Sequence, residues 1–556
     1  MSMPPPPPGP PPGPQPGSQP GSQPGPPPGP PRAPRSPVLI GLLVGVLLFA
    51  VAGAGFAAVS AIRDNSDDTS SSSSGSSEKP TPSAEPSTPL PSTAPTLARY
   101  YHQKLQWGSC GSDKCATMAV PLDYAQPAGQ EIRIAILKVP AARPSERVGS
   151  LVVNPGGPGG SGTEFASYGA LQFGSTLADH FDIVGFDPRG VANSDPLKCA
   201  TTEQLDALLG YDPDPDNAAE RNELDHLTRV VGDGCLSRSG ELARHMSTQE
   251  AARDMDILRA ALGEAKLDYL GSSYGTFLGA TYANLFPKHV GRFVLDGAID
   301  PALSNEKLAL EQAGGFQTAL DAYISDCVGK GGCFLGGSVK AGEQRIRAFL
   351  DQVGAHPLPT GQSRTLTDGW ATLGIFFPLY VKDYWPMLTS ALQAAFRGDG
   401  SKMMALADQY ASRGSNGYKD NSMEALYAVN CLDHDDYILT KDVPQHFAEF
   451  LKASPTFGRF FAFGLSTCSA WPVRSGKHTV ALHAKGAPPI VVVGTTRDPA
   501  TPLAWAQALA RELDSGRLVT RDGDGHTGFQ RGNSCVDDAV ENWLVSGTVP
   551  RANLMC

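Results

Sequence analysis

Hydrophobic and polar positions divide the chain sharply near residue 97. Between Pro37 and Ile62 there is no charged side chain, and from Val38 to Phe56 the residues are almost wholly aliphatic. Crossing a bilayer takes about 20 apolar residues, so 37–62 is predicted to be a transmembrane signal-anchor helix. Arg32 and Arg35 precede this run, whereas Arg63 is followed by Asp64, Asp67 and Asp68. That asymmetry keeps the N-terminus cytoplasmic and exports everything downstream. The alternative is a cleaved signal peptide, because Val59-Ser60-Ala61 resembles a cleavage site; it exports the same part of the chain. Flanking segments have no apolar period. Residues 1–36 are predicted to be a disordered Pro-rich cytoplasmic tail, and 63–97 a Ser/Thr/Pro linker too polar to offset its ordering entropy.

Beyond the linker, short apolar runs at 150–154, 181–186, 267–270, 292–295, 490–493 and 517–520 read as buried strands. Helical spacing separates them, most plainly from Thr248, where Ser247 and Glu250 form a capping box and Ala251, Met255, Leu258 and Leu262 recur on one face. Strands alternating with helices predict an α/β fold with a mainly parallel sheet covered on both faces. Residues 301–475 are instead mostly helical. The expected organisation is a core in two parts, 98–300 and 476–556, with 301–475 inserted as a helical cap.

Composition narrows the partners. The net charge is −11 and the pI about 5.5, which argues against a surface that tracks phosphates, so no nucleic acid is expected. All ten cysteines lie after the linker, and an even number in an exported segment points to disulfides. Joining neighbours in order gives Cys110 with Cys115, Cys199 with Cys235, Cys327 with Cys333, Cys431 with Cys468, and Cys535 with Cys556, one of many possible connectivities. No Cys or His spacing matches a zinc site, so neither metal nor cofactor is expected.

The chemistry begins at Gly271-Ser272-Ser273-Tyr274-Gly275, a G-x-S-x-G between a predicted strand and a predicted helix. That context forms a nucleophile elbow, which raises the Ser273 hydroxyl above the sheet. Serine is a weak nucleophile without a base, and the base needs an acid to hold its tautomer. Asp498 and His526 each follow a later strand on a loop, in the order Ser, acid, His; Asp522 and Asp524 are fallback acids. A third element, Asn154-Pro155-Gly156-Gly157-Pro158-Gly159-Gly160, exposes backbone N–H groups to a developing oxyanion. The N–H groups of Gly157 and Tyr274 are the expected donors.

Together these residues resemble the α/β-hydrolase superfamily and, within it, the prolyl-aminopeptidase-like serine peptidases that include secreted bacterial tripeptidyl aminopeptidases. Cys115-Ala116, Val120-Pro121-Leu122-Asp123-Tyr124, the glycine-rich run, Phe186-Asp187-Pro188-Arg189-Gly190, the Ser273 elbow, Asp498-Pro499-Ala500-Thr501-Pro502 and Gly525-His526 carry the likeness. It implies an α/β-hydrolase fold and release of tripeptides from the free N-terminus of peptides through an acyl-enzyme. Carboxylester hydrolysis by the same triad is the alternative, and an inert surface-anchored binding protein is a third reading. In such enzymes Asp187 and Arg189 are structural. Ala192 departs from a pattern that has glycine there, which puts the local turn in question. An exopeptidase must also read the substrate ammonium; Asn430-Cys431-Leu432-Asp433 resembles a family segment in that region, and Asp433 is the nominee. Thr501 is read either as a buttress for the Asp498 loop or as a cap for the following helix.

Overall fold

The computed structural model describes residues 96–474 and 481–556. The expected tail, the anchor and nearly all of the linker lie outside the described residues. Among the described residues no helix is long and apolar enough to cross a membrane.

Among the described residues ten strands build one sheet: β1 (Gly108–Cys110), β2 (Asp113–Pro121), β3 (Glu131–Val139), β4 (Gly149–Asn154), β5 (Phe181–Phe186), β6 (Leu267–Ser272), β7 (Val290–Asp296), β10 (Ile490–Arg497), β11 (Gly516–Asp524) and β12 (Leu554–Met555). The remaining two, β8 (Arg413–Gly414) and β9 (Gly417–Tyr418), form a separate small hairpin. Sheet order is β1-β2-β3-β5-β4-β6-β7-β10-β11-β12. From β5 onward neighbours run parallel, while β1, β2 and β3 join antiparallel. Every residue of β4 and β5 is buried, as expected for parallel strands covered on both faces. Successive side chains supply opposite faces. Val152, Phe293 and Val492 join one core cluster, and Leu151, Val153, Val294, Val491 and Val493 another.

The helices on the first face include α1 (Thr248–Ala261), capped by Ser247 accepting from the Glu250 N–H, α2 (Tyr274–Leu285), which starts at the elbow, and Leu503–Glu512 through Ala506 and Leu509. Helices Ala170–His180 and Ser534–Ser546 cover the second with Phe173, Leu177, Val536, Val540, Trp543 and Leu544. Between β7 and β10 the described residues are mostly helical, and Phe316, Trp370, Phe376 and Phe461 there centre a third cluster, which Leu205, Leu209 and Ala500 join from outside. Two of its helices recur below: α3 (Asp368–Leu379) and α4 (Ser422–Asp433). The last of these bridges two clusters, with Ala425, Ala428 and Val429 in the sheet-side cluster and Met423 in the third.

All ten cysteines are joined, as Cys110–Cys115, Cys199–Cys235, Cys327–Cys333, Cys431–Cys468 and Cys535–Cys556. Arg189 is a structural pin. A buried guanidinium is costly by several kcal/mol unless it is paired, and Arg189 meets Asp254 at 2.8 Å while donating to the carbonyls of Pro121, Leu122 and His245. Ala192 keeps the turn that its identity called into question: it sits at φ 46°, in the left-handed region, and its N–H donates to Asn421 Oδ1 at 2.9 Å.

Candidate active site

Ser273 ends β6 and precedes α2 with φ 57°, a conformation rare outside glycine. Such strain at one residue is what a strand-to-helix elbow imposes on its nucleophile. The Ser273 N–H donates to the Asp296 carbonyl at 2.9 Å, which ties the elbow to the end of β7. The next residue, Gly297, abuts the histidine loop, for an ideal Cβ there would lie 3.1 Å from His526 Cε1. Three sheet positions thus converge.

His526 Nδ1 lies 2.9 Å from both carboxylate oxygens of Asp498. That carboxylate also accepts the N–H groups of Ala500 and Thr501 at 2.9 Å and of Thr527 at 3.1 Å. Three fixed donors hold the carboxylate in place. The other imidazole nitrogen, Nε2, is buried and makes no hydrogen bond within the described residues. Asp522 and Asp524 are occupied elsewhere, on Arg497 and Lys382. Thr501 Oγ1 lies 3.2 Å from His526 Nδ1, whereas the helix Leu503–Glu512 has no side-chain cap; Thr501 buttresses the His526 imidazole.

Gly156 explains why the preceding loop is glycine-rich. A Cβ there would sit 2.6 Å from the Ser272 carbonyl, 2.8 Å from Ser273 Cβ and 2.9 Å from Tyr274 N, so only glycine brings this backbone against the elbow. The N–H of Gly156 is spent on Asn154 Oδ1 at 3.0 Å. The next in line is that of Gly157, whose φ of 112° also requires glycine.

A family described as TAP-like protein matches residues 454–556, the stretch that carries Asp498 and His526. Serine protease Hip1 of Mycobacterium tuberculosis is 36% identical over 481 residues, 82% of this chain and 91% of that protein. Carboxylesterase B of the same species is 36% identical over 85% of this chain and 93% of its own length. A tripeptidyl aminopeptidase of Streptomyces lividans is 31% identical over 83% and 88%. The chain belongs to this TAP-like family of serine α/β-hydrolases.

The helical segment between β7 and β10 reaches His526 through a residue that sequence reasoning missed. Tyr380, at the C-terminal end of α3, accepts the His526 N–H on its carbonyl at 2.7 Å, and its ring meets the imidazole edge-on at 5.4 Å. Asp296 was also missed. Its buried carboxylate accepts the Gly528 and Phe529 N–H groups at 2.7 and 3.0 Å, which pins the loop just after the histidine, and burial pushes its carboxyl up to about 6.

Asp433, nominated for the substrate ammonium, is engaged inside the protein. Its Oδ1 accepts the Thr248 N–H at 2.9 Å, its Oδ2 accepts the Thr248 hydroxyl at 2.5 Å, and that hydroxyl also bonds the Tyr274 phenol. Asp433 therefore supports the residue after the nucleophile. Burial pushes its carboxyl up to about 7, with Glu250 adding repulsion. A carboxyl in the unfolded chain titrates near ~3.9, so between about pH 4 and 7 the folded state keeps a proton that the unfolded state releases. Stability falls as pH rises through that window. Asp433→Asn retains both contacts to Thr248 and removes the titration. Its melting temperature, followed by calorimetry from pH 4 to 8, is expected to rise relative to the native protein; a constant difference would contradict this role.

Proposed function

We propose that the chain is an exported serine exopeptidase that hydrolyses peptide bonds near a free N-terminus and releases tripeptides. The observation that carries it is the Asp498–His526 pair at 2.9 Å, with Nε2 buried and without a hydrogen-bond partner among the described residues. The name of the Streptomyces relative supports the tripeptide product.

In this mechanism Ser273 Oγ attacks the scissile carbonyl and its proton passes to His526 Nε2, while Asp498 steadies the imidazolium through Nδ1–H. The oxyanion accepts the N–H groups of Gly157 and Tyr274. Collapse expels the amine, which takes the proton from His526 and leaves a tripeptidyl ester on Ser273. Water, deprotonated by His526, then frees the tripeptide and restores the serine.

Export is supported by five disulfides, which persist in oxidising compartments. The run 37–62 supplies the membrane anchor, with the catalytic part outside the cytoplasm, and 98–300 with 476–556 forms the hydrolase core beneath a cap at 301–475. A second reading, carboxylester hydrolysis, is favoured by the relative named carboxylesterase B.

A tripeptide p-nitroanilide with its amino group free or acetylated separates the two. The free amine is expected to be cleaved with kcat/KM at least about tenfold higher, since one charge-assisted hydrogen bond is worth ~1.5–3 kcal/mol. Equal rates, or a preference for acyl esters over both amides, would favour the esterase.

A further inference from the structure

One face of α3 floors a cavity of about 300 Å³ in the cap. Gly369, Leu373, Phe376 and Tyr380 line it, spaced as i, i+4, i+7 and i+11 along a single helical stripe. At the Tyr380 end the wall touches His526 through the 2.7 Å hydrogen bond described above. At the Gly369 end the wall includes Asp212, whose carboxylate belongs to a cluster with Asp214 and Asp368, their oxygens within 4.8 Å of one another. Asp433, by contrast, does not line this cavity.

The charge of that end is unbalanced. Arg459 approaches Asp214 at 3.2 Å and Asp216 at 2.5 Å, but no lysine or arginine pairs with Asp212 or Asp368 among the described residues. Burial and the Asp212 charge push the Asp368 carboxyl up to about 6, and burial together with neighbouring acids raises that of Asp212. A cation arriving there relieves the repulsion.

Length supplies the second argument. Eleven residues of helix separate Gly369 from Tyr380, which at ~1.5 Å per residue is ~16 Å. Three extended residues span ~10 Å, and a hydrogen-bond distance of ~3 Å at each end brings the total to ~16 Å. A dipeptide falls short by ~3 Å and a tetrapeptide overshoots by as much.

Resting on the exopeptidase reading above, we propose that this cavity is the subsite for the three N-terminal residues of the substrate, that Asp212, backed by Asp368, binds the α-ammonium, and that α3 is the ruler that sets the tripeptide product. The apolar stripe of Leu373 and Phe376 contacts the substrate between its two fixed ends, so affinity for apolar side chains accompanies the length rule.

The test compares full-length protein with Asp212→Asn and Asp368→Asn on free and acetylated tripeptide p-nitroanilides. The readout is the ratio of kcat/KM for the two substrates, in which any general loss of active protein cancels. A native ratio well above one that falls at least about tenfold in Asp212→Asn is the expected result. A high ratio kept in both variants overturns the proposal while leaving the exopeptidase standing. A native ratio near one fails the exopeptidase reading and this proposal with it. Should the variants not fold, native protein still decides on free-amine di-, tri- and tetrapeptide anilides: a peak in kcat/KM at three residues supports the ruler, and equal rates refute it.

Discussion

Ser273→Ala is expected to lower kcat for a tripeptide amide by at least about 10⁴-fold, the order lost when a triad nucleophile is removed. The strained backbone at φ 57° belongs to the elbow, and alanine tolerates it no worse than serine, so the variant should fold and keep its melting temperature. The substrate KM should change little, because the cavity and the Gly157 and Tyr274 N–H groups remain. Steady-state kinetics with active-site titration measures the loss. Retention of more than a few per cent of native kcat would remove Ser273 from the reaction.

Asp498→Asn is expected to cost about 10⁴ in kcat while leaving the fold intact. The carboxylate now faces the N–H groups of Ala500, Thr501 and Thr527 together with His526 Nδ1. All four are donors, a set that only an acceptor-only group satisfies. Asparagine must aim its NH₂ at one of them, and aimed at Nδ1 it inverts the imidazole tautomer, so that Nε2 carries a proton and cannot accept one from Ser273. A pH–rate profile separates this from simple damage: the base limb of the native enzyme should move or vanish in the variant, whereas a profile of unchanged shape and full rate would show that another acid serves His526.

The three side chains of the candidate site were legible as a set because each follows a strand whose apolar run is continuous. Parallel strands covered on both faces leave that signature, and the loops after β6, β10 and β11 carry Ser273, Asp498 and His526. The antiparallel entry strands were not recognised, although β3 alternates Ile132, Ile134 and Ile136 with Glu131, Arg133 and Ala135. Their half-exposed pattern lacks a continuous run. The contact of Asp433 with Thr248 was not legible, because it joins residues 185 positions apart and nothing local announces it. Long separations in sequence likewise hide Asp212 from Asp368 and Tyr380 from His526. One member of each pair lies in the mostly helical segment between β7 and β10, whose packing joins residues far apart in sequence.

The most direct test of the account is product analysis by mass spectrometry on a decapeptide with a free N-terminus. The native protein is expected to yield its N-terminal tripeptide and the complementary heptapeptide as the first products, to leave the N-acetylated decapeptide intact, and to yield nothing as Ser273→Ala. Internal cleavage, a first product of another length, or undiminished cleavage by Ser273→Ala would contradict it.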